Sequence, residues 1–388
     1  MLRVWNISLL IATFALTILG TFLTRSGVIN SVHAFSDSTI GPYLLGAFGV
    51  IVVVSLGLIA WRGDRLRSPG AIDSPISREG AFLANNVIFS LFAFVILLGT
   101  VFPLIVEAKD NRKIAVGSPF FDTMARPVGL VLIFLMAVAP VLPWRKASGE
   151  LLRERLFWPA WCGAGALLFA VLVGATDFAP LLAFALGGFA AGAALRQLVL
   201  ATRRQGYRGL LGRTNGGMIV HLGVILIAVG LAASNSYTKT AEFNMNKGDK
   251  VTFDGHTFQL QDVVDFTTSR SVGIKALVQV DGGKAYSPAI SKFTAQGIDV
   301  GTPSVQTGLA YDIYLTLENG SKPSTGNAKL KIFIKPMIVW LWVGGLLCGM
   351  GTLLAAFPGR HRRRPTDPVS APVPVSYTHL TLPTNREV

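Results

Sequence analysis

Gly216–Gly230 reads GGMIVHLGVILIAVG, fifteen residues in which only His221 carries a polar side chain. A run with no polar face cannot be the surface helix of a soluble domain. With its flanking residues it approaches the roughly 20 apolar residues that cross a bilayer. His221 stands about five residues inside the run, about 7–8 Å deep at a helical rise of about 1.5 Å per residue. An ionisable group at that depth is a functional candidate by default. The plain alternative is a neutral imidazole bonded to a neighbouring helix, and position alone balances the two. Gly216, Gly217 and Gly223 leave room for something to approach closely.

The rest of the chain shares this character. Of its 388 residues 51% are hydrophobic and 14% charged, with a mean hydropathy of +0.52. A soluble domain carries about a quarter charged residues, so composition alone indicates a membrane protein. About eight runs are long enough to span. They are approximately Val4–Leu23, Pro42–Trp61, Val87–Val106, Pro127–Trp144, Trp158–Gly174, Ala179–Leu200, Gly216–Ala233 and Met337–Phe357. The first follows Arg3, but its length, Asn6 near its start and the lack of a small-residue cleavage site mark it as a retained helix.

The net charge of +14 could suit nucleic acid, yet the basic residues cluster in connectors between the runs. Arg62, Arg65, Arg67 and Arg78, then Arg145, Lys146, Arg153 and Arg155, then Arg203, Arg204, Arg208 and Arg213, and last Arg360, Arg362, Arg363 and Arg364 fall on one side. The positive-inside rule explains them, so no nucleic-acid partner is expected, both termini are placed in the cytoplasm and His33 on the outer side. The connector 107–126, with mixed charge, is the exception. The seven tryptophans fall near span ends, as an interfacial belt does. Cys162 and Cys348 lie in separate spans without CxxC or zinc spacing, and packing is their plain role.

Ser234–Lys335 changes character. Lys250–Leu260 holds two strand-like runs about Asp254-Gly255, a hairpin signal, and Ile274–Val280 leads into Asp281-Gly282-Gly283. Tyr311–Leu317 and Lys329–Ile334 are further strands. The fold class expected is an all-α polytopic membrane bundle of about eight transmembrane helices with a small extracytoplasmic antiparallel β domain. Its parts are a bundle over 1–233, the β domain over 234–335, a final helix over 336–357 and a disordered tail over 358–388. The last fourteen residues, VSYTHLTLPTNREV from Val375, resemble a translated sequencing adapter and are set aside with His379. His256 at a hairpin turn and His361 in the tail are expected to face solvent.

Thr21–Phe35, TFLTRSGVINSVHAF, resembles the TFLTRSG…SVHAF signature of the CcmF family, membrane subunits of the cytochrome c haem-attachment machinery. Ser77-Arg78-Glu79, Asn85-Asn86, Leu98-Gly99-Thr100 with Pro103, Val116–Phe121 and Lys335-Pro336 with Trp340 and Trp342 resemble further family segments. The likeness covers most of Leu2–Phe357, is weakest in Gln279–Gln306, and corresponds to the family's C-terminal half. It implies that His221 is an axial ligand of a membrane haem b, with the nearby glycines admitting a flat macrocycle. It also implies that His33 is a ligand of the haem about to be attached. Arg25 is then a candidate propionate partner, because a guanidinium pairs with a carboxylate in bidentate geometry; an interfacial anchor is the equal alternative. No catalytic side chain is implied.

The function implied is haem handling in cytochrome c maturation, of haem lyase type, with this stretch inactive alone. Haem would pass from a haem chaperone to apocytochrome c, assisted by thiol-handling chaperones, and quinol would keep its iron reduced. The bacterial inner membrane is the location implied, with lipid as the solvent. The family's tryptophan-rich loop and the second ligand of each haem lie upstream of this stretch. The sequence is therefore read either as a truncated gene model or as a natural split subunit whose N-terminal half is a separate chain. Two readings stand beside this one. A transporter or permease would use His221 in a proton or substrate path. A non-catalytic assembly scaffold would use the β domain to bind partners.

Overall fold

A computed structural model describes residues 3–26, 40–66, 74–112, 114, 116–144, 148–269, 271–293 and 299–357. His33 and the tail from residue 358 lie outside these. Among the described residues eight helices are long and apolar enough to cross a membrane: α1 Arg3–Arg25, α2 Gly41–Leu66, α3 Arg78–Asp110, α4 Ser118–Val138, α5 Gly149–Leu172, α6 Phe178–Gln205, α7 Arg213–Tyr237 and α8 Ile338–Ala356. The chain forms two compact units. One holds α1, α2 and the end of α3 from Pro103; the other holds the first part of α3, α4 to α8 and the β strands. The division falls at Pro103, where a ring without an N–H interrupts the helical ladder.

Three helices begin well before their apolar runs, α4 among them, at Ser118 against the expected Pro127; the other two are α3 and α5. The expected third span starts at Val87, but α3 starts at Arg78; the fifth run starts at Trp158, but α5 starts at Gly149. Helical geometry propagates through polar residues once an N-terminus is capped, and the starts of α3 and α5 are. Ser77, fully buried, accepts from the Gly80 amide at 3.0 Å while donating to Ser74 O at 2.6 Å. Ser148 accepts from the Leu151 amide at 3.3 Å.

In the second unit the helices meet through small residues, as spans without a hydrophobic driving force between them must. A Cβ on Gly216 would stand 2.6 Å from Gly351 O, one on Gly223 2.5 Å from Gly344 O, and one on Gly230 2.7 Å from Leu341 Cδ1. The seven-residue spacing of these three glycines keeps one edge of α7 against α8. Cys348 lies in this seam, its Sγ 3.6 Å from Val220 O. Cys162 plays the same part between α5 and α6, where a Cβ on Gly192 would come within 2.8 Å of its Cβ. Both thiols are free and pack.

Between α7 and α8 the described residues make ten strands in two antiparallel sheets. The first has the order β1 (Lys239–Asn246), β10 (Asn327–Pro336), β9 (Tyr311–Leu317), β8 (Ser304–Gln306). The second has the order β2 (Lys250–Phe253), β3 (His256–Thr267), β4 (Ser271–Val280), β6 (Ala289–Phe293), β7 (Asp299–Thr302), with β5 (Ala285–Tyr286) on β4. Alternate residues face one core, among them Ile313 and Leu315 on β9, Leu330 and Ile332 on β10, and Ala276 and Val278 on β4. On β3 the inward set runs Phe258, Leu260, Val263. The step of three is a bulge between Leu260 and Asp262 that returns the alternation to phase. The β2–β3 turn has φ 48° at Asp254 and 82° at Gly255, the paired positive values of a tight hairpin.

Candidate functional site

Among the three site residues expected from the sequence, only His221 has a described setting that can be built upward. His33 is outside the described residues. Arg25 is the exposed last residue of α1, in the first unit.

His221 opens onto a cavity of about 710 Å³ lying wholly in the second unit. Three helices supply its walls. From α7 come Thr214, Gly217, Met218, His221, Val224 and Ala228, spaced three or four apart and so on one face. From α3 come Arg78, Phe82, Asn85 and Phe89, again a single stripe. From α4 come Gly129, Leu132, Ile133, Leu135 and Met136, with Ala139, Pro140 and Trp144 just beyond its end. The lining is apolar except at one end and at two side chains within, His221 and Asn85. Neither His221 ring nitrogen has a hydrogen-bond partner among the described residues, so the plain alternative of an imidazole bonded to a neighbouring helix finds no support there.

The glycines divide by face. Gly216 and Gly223 are taken up by α8, whereas Gly217 and Gly129 line the cavity, and a Cβ on either would meet nothing within 4 Å. A glycine one turn from His221 leaves backbone as a flat wall beside the ring.

The polar end of the cavity is firmly built. Arg78 Nη2 donates to Pro140 O at 2.6 Å, and its guanidinium carbon lies 5.1 Å from the Trp144 ring centroid. The Arg78 amide donates to Pro143 O at 3.0 Å. Phe82 leans on Trp144 with centroids 6.1 Å apart. Arg213 stands at the same end. This gives a slot with an apolar body, one imidazole within it and two guanidinia at its mouth. It fits a flat apolar ligand bearing anionic groups at one edge. Among the described residues no group of three or more His, Cys, Asp or Glu side chains is placed to hold a bare metal ion.

The sequence singles out His221, but it reads Arg78 as a connector charge, Trp144 as part of the interfacial belt and Asn85 as part of a family segment, and places none of them in the cavity they share with it. The available signal was the stripe Arg78, Phe82, Asn85, Phe89, which continues the α3 helical period before the apolar run. It also expected His256 to face solvent, and the structure corrects this. His256 is only 18% exposed in its side chain. Its Nδ1 lies 2.7 Å from Asp281 Oδ2 and its Nε2 2.9 Å from Tyr311 Oη. Asp281, which also accepts from the Thr257 amide at 2.8 Å, is held below the usual carboxylate range first by His256 and then by that amide. The cluster ties the start of β3 and the β4–β5 turn to β9.

No family model matches the chain. Individual relatives do. A cytochrome c-type biogenesis protein CcmF of Pseudomonas aeruginosa is 31% identical over 369 residues, covering 92% of this chain and 56% of its own length. CcmF of Escherichia coli is 31% identical, with 95% and 58% covered. CycK, a cytochrome c-type biogenesis protein of Bradyrhizobium diazoefficiens, is 32% identical, with 96% and 57% covered. A solved structure of the cytochrome c haem lyase CcmF superposes with a TM-score of 0.74 at 29% identity, covering 92% of this chain and 55% of that one. The chain spans about half the length of the curated relatives it matches. With a likeness that runs through nearly all of its own residues in both sequence and fold, the chain belongs to the CcmF family.

Proposed function

We propose that this chain holds a haem b in the cavity between α3, α4 and α7, with His221 as one axial ligand, and that it serves haem attachment to apocytochrome c. The observation that carries the reading is His221 itself, an imidazole on the wall of a 710 Å³ apolar cavity within a spanning helix, without a hydrogen-bond partner among the described residues. That volume lies in the range of cofactor sites, about 300–1,000 Å³. A lone imidazole suits iron already carried by a macrocycle, since the porphyrin supplies the other donors. Haem bound there would supply one-electron chemistry, and the protein contributes ligation, orientation and exclusion of water.

Each residue then has a task. His221 donates a ring nitrogen. Gly217 and Gly129 leave the walls flat. Arg78, fixed by Pro140 O and Trp144, and Arg213 meet the propionates. On the strength of the family signature, His33 holds the haem awaiting attachment, with Arg25 as its propionate partner. The second ligands come from the part of the CcmF relatives that this chain does not span. The same reading makes the haem chaperone, apocytochrome c with its thiol-handling chaperones, and quinol the partners. It places the chain in the bacterial inner membrane with the β domain outside. No side chain here is assigned to bond-making, and the lyase-type activity belongs to the assembled protein.

The test is co-expression with a polypeptide supplying the N-terminal half, purification in detergent and an absorption spectrum. Haem bands that vanish in His221→Ala, with the melting temperature kept, are the expected result. A colourless wild type from haem-replete cells refutes the reading.

A further inference from the structure

We propose that a second volume, separated from the haem cavity by Arg78, Pro140 and Thr214, binds the phosphodiester headgroup of an anionic phospholipid. This pocket, about 590 Å³, is lined at its polar wall by Arg78, Glu154, Arg155, Arg196, Arg204 and Thr214. Among the described residues four guanidinia face one carboxylate. Two are fixed in place: Arg78 donates to Pro140 O at 2.6 Å and Arg155 Nη1 to Val141 O at 2.7 Å, each through one nitrogen, which leaves further N–H groups for an anion. Arg78 Nε has no acceptor among the described residues.

Arg196 is the informative member. It sits nine residues before the end of α6 at Gln205, about 13 Å along the helix axis. It also lies four residues, about 6 Å, inside the expected sixth span ending at Leu200, and a half-buried arginine within a span marks a site. The pocket gathers the starts of α3, α5 and α7 with the ends of α4 and α6, the helix ends opposite the β domain. Basic pockets between spanning helices recognise anionic headgroups. Leu195 and Val199, flanking Arg196 on α6, are 48% and 47% exposed and offer acyl chains an apolar surface next to the cations. An amphiphile with one anionic head satisfies both surfaces; a free phosphate satisfies one.

The lipid-stripped chain in detergent is titrated separately with dioleoylphosphatidylglycerol, dioleoylphosphatidylcholine and inorganic phosphate, and bound mass is counted by native mass spectrometry. One phosphatidylglycerol per chain is expected, with the other two probes about tenfold weaker. Arg155→Gln with Arg196→Gln lowers that affinity about thirtyfold, the loss of two cations near a headgroup. The paired lysine substitutions retain most of the binding, which separates loss of charge from loss of fold, and Arg203→Gln outside the pocket changes nothing. Unchanged phosphatidylglycerol affinity in the folded glutamine variant overturns the proposal. Inorganic phosphate binding as well as phosphatidylglycerol also overturns it, and assigns the pocket to the free anion.

Discussion

Alanine placed at Gly223 and at Gly217 tests the two faces of α7 against each other. At Gly223 the new Cβ would stand 2.5 Å from Gly344 O and 2.6 Å from Cys348 Sγ, whereas ordinary contact begins at 3.4 Å. The two helices must part by about 0.9 Å, and because Gly216 and Gly230 lie on the same seam, the separation is felt along about four turns. Overpacking of this kind costs about 1–3 kcal/mol. At Gly217 the Cβ meets nothing within 4 Å. Both variants gain the same helix propensity of about 1 kcal/mol over glycine, so the difference between them isolates the steric term.

Thermal unfolding in detergent, followed by tryptophan fluorescence, should therefore place Gly223→Ala below Gly217→Ala by several degrees. About 1 kcal/mol moves the midpoint by about 2–4 °C in a unit of 150–250 residues. Gly217→Ala should melt at or slightly above wild type. Equal midpoints, or Gly223→Ala the higher, would show that the α7–α8 seam is not as close as described.

Gly217→Leu places a branched side chain in the cavity one turn from His221 and should cut haem absorbance of the co-expressed halves at least about tenfold, with the midpoint unchanged, as overpacking the bound state by about 1.4 kcal/mol or more requires. Ile332→Ala empties a fully buried position of the β core and should cost about 2–5 kcal/mol, read by earlier unfolding of the β domain in denaturant. Asp281, its carboxyl held low by His256 and the Thr257 amide, contributes stability that is complete above the ordinary carboxylate value of about 3.9 and is lost as pH falls through its lower folded value. Wild type should therefore lose β-domain stability on acidification below about pH 4, and Asp281→Asn should lose less over the same window.

The spans were legible because hydropathy averages over some twenty residues and the lipid-facing surface has no polar option. The same averaging hid what the site needed. Arg196 sits inside the expected sixth run, where a single charge hardly lowers the mean, and Arg78 lies before the expected third run, in a polar stretch that the Ser77 cap turns into helix. The Asp254-Gly255 hairpin was legible because two positive φ values demand those residue types. Strands β1, with the polar sequence KTAEFNMN, and β7, DVGT, were not: β1 is held by pairing to β10, distant in the chain, and the four exposed residues of β7 pair with the preceding β6 without an alternation of their own. His221 stood out as an ionisable group in an apolar run. Its cavity partners did not, because no local pattern tells which stripe of α3 will face which stripe of α7.

The arrangement of α7 has a consequence for why such a cavity persists. In a soluble core a void of this size would collapse or cost its lining dearly. In a bilayer hydrocarbon is as good a neighbour as a leucine side chain, so an apolar slot open to lipid bears little penalty when no cofactor fills it. What the fold must supply is a fixed far wall, and the seven-residue glycine spacing supplies it by holding one edge of α7 to α8 while the other edge presents His221. Loosening that seam should then weaken haem binding without touching the cavity. In the co-expressed halves Gly223→Ala, whose new methyl points at α8, should lower haem occupancy in step with its loss of thermal midpoint, while Gly217→Ala, which lines the slot with a single methyl, should keep both. Full haem occupancy in a Gly223→Ala protein that melts several degrees early would separate the wall from the seam and refute the argument.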